Sequence, residues 1–102
     1  MAYKLSSLAA EDFAEIYEYT LMNFGELHAQ RYLLDLEKIM ALLASTPMIG
    51  YECADISEGV RRFNHNHHAV FYRIVTNDNS GSAVLIVRIL HQQMNPYLYF
   101  PI

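Results

Sequence analysis

Three kinds of side chain capable of chemistry gather in the second half of this sequence. Arginines stand at Arg61, Arg62, Arg73 and Arg88, histidines at His65, His67, His68 and His91, and tyrosines at Tyr72, Tyr97 and Tyr99. Metal-free RNA cleavage needs a base for the 2′-hydroxyl, a cation for the phosphorane charge and an acid for the leaving oxygen, and Arg61, Arg62, Tyr72, Arg73, Arg88, His91 and Tyr97 or Tyr99 could supply them. The bland reading of the same residues is arginines paired with acids and tyrosines packed by their rings. Imidazole also suits zinc, and His65 and His67 would share one side of a strand. No C-x-x-C or H-E-x-x-H spacing accompanies them, so no metal and no cofactor is expected. Cys53 is the one cysteine; in YECADI it has no helix start or adjacent base to lower its pKa and reads as a small apolar filler. There is no G-x-S-x-G elbow, and four scattered glycines make no phosphate cradle.

Composition narrows the choice. A chain of 102 residues with 53% hydrophobic content is expected to form one domain, residues 1–102, around a single core. Its longest apolar run falls well short of the roughly 20 residues that span a bilayer. MAYKLSSLAAEDF lacks the apolar stretch of a secretion signal, so a cytoplasmic protein without membrane contact is expected. Charge is unevenly placed. Residues 1–55 hold nine acids against three bases, whereas residues 56–102 hold two acids against four arginines and four of the five histidines. With two lysines in the chain and a pI near 5.6, the positive charge needed for strong general binding to nucleic acid is missing.

The elements that must carry these residues follow from periodicity. AYKLS at 2–6 alternates and predicts a strand. Ser6 or Ser7 then caps a helix running to Phe24, with Phe13, Ile16, Tyr17, Thr20, Leu21 and Phe24 at three- and four-residue steps. Gly25 stops it, and a second helix from Glu26 to Ser45 puts Ala29, Leu33, Leu36, Met40 and Leu43 on one stripe. So short a link makes the two helices antiparallel neighbours. Residues 47–59 read as a loop between Pro47 and Gly59; strands follow at 60–65, 68–76 and 83–90, the last two joined by the turn NDNSG at 77–81. Residues 84–90 are apolar on both faces except Arg88, which marks a central strand. Met22, Met40 and Met48 read as core, and Met94 as a contact residue. The tail NPYLYFPI, with two prolines, cannot continue a ladder. The fold class is therefore α+β: a short N-terminal strand and an antiparallel helical hairpin packed on a small antiparallel sheet, whose other face is expected to stay partly open.

Taken together these segments resemble the ParE branch of the RelE/ParE toxins of type II toxin–antitoxin systems. The resemblance is carried by Leu5, Ser6, Ala9 and Asp12 at the start, Phe24-Gly25 at the first helix end, Pro47 and Gly50, Arg61 after Gly59, His68 with Phe71-Tyr72-Arg73, and Arg88-Ile89-Leu90-His91 followed by Met94. Asn95 departs from the aspartate often found after that methionine.

The resemblance implies a growth inhibitor that poisons DNA gyrase, with no catalytic residue of its own. It also implies a ParD-like antitoxin as partner in a hetero-oligomer, contact with promoter DNA only through that antitoxin, and no cofactor. The antitoxin is expected on a groove of the open sheet face at Arg61, Phe63, Tyr72, Arg73 and Arg88, and the target at His91, Met94, Tyr97, Tyr99 and Phe100. The alternative is the RelE branch, a ribosome-dependent mRNA endoribonuclease. A nuclease seated on rRNA favours a strongly basic surface, which counts against it here.

Overall fold

The computed structural model describes residues 3–77 and 81–100. Ser6 opens the architecture. Its backbone N–H donates to the Ile86 carbonyl at 2.9 Å, and its hydroxyl donates to the Val87 carbonyl at 2.7 Å. The same oxygen accepts from the Ala9 amide at 3.0 Å, capping the first helix. One side chain thus joins the end of β1 (Tyr3–Leu5), the start of α1 (Ser7–Phe24) and the edge of the sheet.

Gly25, at φ 90°, ends α1 in a conformation that penalises any Cβ, and the chain turns directly into α2 (Glu26–Ser45). The apolar stripe of α2 is buried at Ala29, Leu36, Met40 and Leu43. On α1 the buried positions are Ala9, Asp12 and Ile16. Met22 and Met48, expected in the core, are 85% and 68% exposed, because they fall on the outer side of α1 and in the turn after α2.

After a 3₁₀ turn at Pro47–Ile49, a two-residue strand, β2 (Tyr51–Glu52), pairs with β3 (Val60–His65). The sequence reading has this stretch as loop, since two residues carry no period. β4 (His68–Asn77) and β5 (Gly81–His91) complete an antiparallel meander. The centre of the NDNSG turn, residues 78–80, lies outside the described residues, as do residue 2 and the last two residues of the tail. β1 joins β5 in parallel, so the sheet is mixed, in the order β1-β5-β4-β3-β2, with β5 inside it.

Two apolar clusters sit on the two faces of the sheet. The helices cover Val70, Tyr72, Val84, Ile86 and Ile89. On the opposite face Cys53, Val60, Ala69, Phe71, Leu90 and Phe100 form the second cluster, with Ile56, Val87, Met94 and Tyr99 packed on it. That face was expected to be partly open; the 53–57 turn and the tail cover much of it, and Phe100 meets Phe71 edge to face at 5.1 Å between ring centroids.

Candidate functional site

A β-bulge decides where the arginines point. Phe71 stands across from Arg88 and Tyr72 across from Ile86, so Val87 is an extra residue on β5. Ile86 and Ile89 both join the helix-side cluster although three positions apart, and Arg88 shares a position with Phe71 on the other face. β1 has already ended at Leu5, leaving this part of β5 as a bare edge. Asp12 fills it. Its carboxylate accepts from the Ile89 amide at 2.9 Å and from Arg88 Nε and Nη2, each at 2.8 Å. Arg88 Nη1 donates to the Tyr99 carbonyl at 3.1 Å, and the guanidinium lies 5.7 Å from the Tyr99 ring centroid. The hydrogen bonding of Arg88 to Asp12 raises the Arg88 pKa above its ordinary value against the opposing effect of burial.

The other arginines of the sheet are also held within the protein. Arg61 donates to the Gly50 carbonyl at 2.5 Å and the Met48 carbonyl at 3.2 Å, and pairs with Glu52 at 3.4 Å. Arg73 donates to the Glu58 carbonyl and, at 2.7 Å, to Ser57 Oγ. Arg62 bonds Asn64 at 2.8 Å and lies over the Phe71 ring.

The expected groove therefore does not have one face. Arg61 stands across from Tyr72 and Phe63 across from Val70, on the side of the helices, whereas Arg73 pairs with Val60 and Arg88 with Phe71 on the opposite side. Tyr72 is 0% exposed. Its hydroxyl donates to the Pro47 carbonyl at 2.6 Å and accepts from the Gly50 amide at 2.9 Å, pinning the turn that precedes β2. A Cβ at Gly50 would fall 2.5 Å from that hydroxyl, so this glycine exists for close approach.

The residues expected at the target separate in the same way. His91 and Met94 line a cleft, Tyr97 is exposed with its hydroxyl donating to Asp55, Tyr99 is half-buried over Arg88, and Phe100 is buried at 8% exposure. Asp55 holds the Tyr97 phenol above its usual pKa, first through that hydrogen bond. Among its described residues the tail is thus not a free apolar patch: Phe100 is buried, and the 3₁₀ turn Pro96–Leu98 carries Leu98 at 76% exposure.

The cleft is the concave feature that sequence reasoning missed. It has a volume of about 780 Å³ and lies between the helical hairpin and the His67/His91 end of the sheet. Ile16, Tyr19, Thr20 and Phe24 of α1, His28, Arg31, Tyr32 and Asp35 of α2, and Ile89, Leu90, His91 and Met94 line it, with Asp12 and Glu15 on its wall. Of its lining residues Tyr19 and Phe24 are large, apolar and exposed, and Met22 and Leu27, near them in sequence, are exposed as well. No single-residue spacing reports such a cleft; it arises where two elements distant in sequence meet.

Four imidazoles edge the cleft. The rings of His67 and His91 stack in parallel with centroids 6.1 Å apart, and His68 meets His91 edge-on at 5.5 Å. Burial first, then His91, His67 and His65, lower the His68 pKa to about 4. The Tyr32 hydroxyl and His68 Nδ1 share a hydrogen bond at 2.5 Å. Burial, and then Asp35, raise the Tyr32 pKa. Among the described residues, no three His, Cys, Asp or Glu side chains converge so as to hold a metal ion. Cys53 is buried, and burial pushes its thiol up from the ordinary value, away from nucleophilic use.

Comparison with known proteins gives these residues their context. A family model described as the ParE toxin of the type II toxin–antitoxin system parDE matches residues 3–96. The chain belongs to the ParE toxin family. It is 34% identical to Toxin ParE1 of Mycobacterium tuberculosis and 33% identical to Toxin ParE1 of Caulobacter vibrioides, over 93 residues and 91% of each chain in both cases. Among solved structures it resembles a chain of the chromosomal ParDE toxin–antitoxin system from P. aeruginosa, with a TM-score of 0.71, 21% identity, and coverage of 89% of this chain and 95% of that one. At that identity the likeness concerns the fold, and it agrees with two helices on a five-stranded sheet in a ParE toxin. No described helix is long and apolar enough to cross a membrane.

Proposed function

We propose that this ParE toxin inhibits growth in the cytoplasm by poisoning DNA gyrase, and that a ParD-type antitoxin neutralises it by filling the cleft under the helical hairpin. The observation that carries the antitoxin part is the cleft itself. An open concavity of about 780 Å³ lined by exposed Tyr19 and Phe24 suits the apolar side chains of an amphipathic helix. The antitoxin moves here from the arginine face because Tyr72 is wholly buried and Arg61, Arg73 and Arg88 already donate to the protein's own acceptors. The gyrase part rests on family membership, and on an exposed tail tip at Tyr97 and Leu98 as the contact. Protein binding is favoured over mRNA cleavage because the same arginines are turned to internal carbonyls and carboxylates, with too few lysines to hold rRNA.

The test uses the product of the neighbouring open reading frame as antitoxin. Tyr19→Asp and Phe24→Asp place a charge on exposed cleft positions and leave the core intact. We expect each to weaken antitoxin binding by tenfold or more, while gyrase inhibition persists. Unchanged antitoxin affinity in both variants would remove the cleft from the proposal. Codon-dependent cleavage of message in a translation extract, with gyrase untouched, would replace the whole reading with the nuclease.

A further inference from the structure

We infer that Arg88 is a positioning residue for the target-contacting tail, and that Asp12 orients it from the wall of the cleft. The inference rests on the reading that the tail tip meets gyrase. Three attachments hold the tail. Phe100 is buried against Phe71, the Tyr97 hydroxyl donates to Asp55, and Arg88 Nη1 donates to the Tyr99 carbonyl at 3.1 Å. Between them lies the 3₁₀ turn Pro96–Leu98, where Asn95 Oδ1 accepts from the Tyr97 amide at 3.1 Å and the Leu98 side chain stands out at 76% exposure.

The Arg88 contact differs in kind from the other two. It grips a backbone carbonyl, so it sets the path of the chain rather than the identity of a side chain. Arginine is required because one planar fork must serve two directions: Nε and Nη2 face both oxygens of Asp12, which leaves Nη1 aimed at the tail. A lysine ammonium is a point charge and cannot hold both oxygens and the tail carbonyl in that geometry. Asp12 is fixed in turn by the Ile89 amide at 2.9 Å, so the carboxylate cannot follow a rotated fork without losing that bond. The β-bulge at Val87 makes the arrangement available, since it puts Arg88 on the Phe71 face, where the tail packs, while Ile89 stays on the helix side.

Asp12 also lines the cleft proposed for the antitoxin. One carboxylate therefore stands between the cleft and the residue that shapes the tail. Asn95, the departure from the family pattern, caps the turn held by this clasp.

The test compares the wild-type chain with Arg88→Lys and Arg88→Gln by three measurements. These are backbone hydrogen exchange at Leu98 and Tyr99, gyrase inhibition, and affinity for the neighbouring open reading frame's product. We expect Arg88→Lys to speed exchange at Leu98 and Tyr99 by tenfold or more while β4 amides such as that of Val70 keep their rates. Gyrase inhibition should fall by tenfold or more, and antitoxin affinity should stay within about threefold. Should Arg88→Lys not persist as free toxin, exchange is read in the antitoxin complex, which stabilises the fold by mass action. Wild-type exchange rates in the tail of Arg88→Lys would overturn the inference, as would equal losses across tail, strands and antitoxin binding. If the wild-type chain leaves gyrase active, the proposed target fails, and tail exchange still decides whether Arg88 positions the tail.

Discussion

Asp12 and Arg88, 76 positions apart, meet as a buried, two-point ion pair at the place where β1 stops and β5 would otherwise present an unpaired edge. The side chains are 9% and 13% exposed, so removing one partner leaves the other charged with little solvent around it. We expect Asp12→Ala to lower unfolding free energy by about 3–5 kcal/mol, the usual cost of breaking a buried pair. Urea denaturation measures it. A loss as small as that of a surface ion pair would mean that water already reaches the pair.

Tyr72 serves the turn before β2 through its hydroxyl. Tyr72→Phe keeps the ring in the core and leaves the Gly50 amide and the Pro47 carbonyl without that partner. The expected loss is about 1–3 kcal/mol, the cost of stranding a buried polar group. Gly50→Ala should destabilise by forcing the turn away from the same hydroxyl, since its Cβ would meet it at 2.5 Å. Thermal denaturation of the two single variants and the double variant should show coupling between the sites.

Acid should weaken the fold through His68. Its pKa in the folded protein, about 4, lies below the ordinary value of 6.5, so the unfolded chain takes up a proton first as pH falls. Stability from this group is complete above about 6.5 and is lost progressively toward about 4. The groups around the ring are His65 from the end of β3, His67 from the β3–β4 turn, His91 from β5, and Tyr32 from α2, whose neighbours Arg31 and Asp35 also line the cleft. His68→Gln does not titrate, so its denaturation midpoint should fall less steeply between pH 6.5 and 4.5 than that of the wild type. Parallel pH profiles would show that His68 is not the group concerned.

Phe100 and Leu98 are two residues apart and should behave oppositely. Phe100→Ala removes a ring packed on Phe71 and should cost about 3 kcal/mol. Leu98→Ala, at an exposed position, should change stability by less than about 0.5 kcal/mol. Deletion of residues 95–102 consequently destabilises the second cluster as well as removing the tip, so loss of toxicity on truncation would not by itself locate the target contact. Thermal denaturation of the point variants separates the two effects.

The helices and the long strands were legible because their signals are local. Leu36, Met40 and Leu43 recur at helical spacing, Ser6 and Gly25 cap and stop α1, and residues 84–90 are apolar enough for an inner strand. What escaped depends on pairs distant in sequence. A one-residue bulge at Val87 sets the face of Arg88, and no pattern within β5 announces it. Asp12 looks like one more solvent-facing acid of α1 until β5 arrives beside it. Tyr72 looks like a surface tyrosine until the Pro47–Gly50 turn closes over it. The tail, expected to be exposed, folds back because Phe100 finds Phe71. The cleft has no sequence signature, since its walls come from α1, α2, β4 and β5.

Gyrase decides between protein binding and bond breaking. Purified gyrase is incubated with supercoiled plasmid, ATP and this chain, and the DNA is resolved after detergent and protease treatment. We expect linear plasmid to accumulate with toxin concentration, and prior addition of the neighbouring open reading frame's product to suppress it. Fully active gyrase with no linear DNA at toxin concentrations that arrest growth would contradict the proposed function.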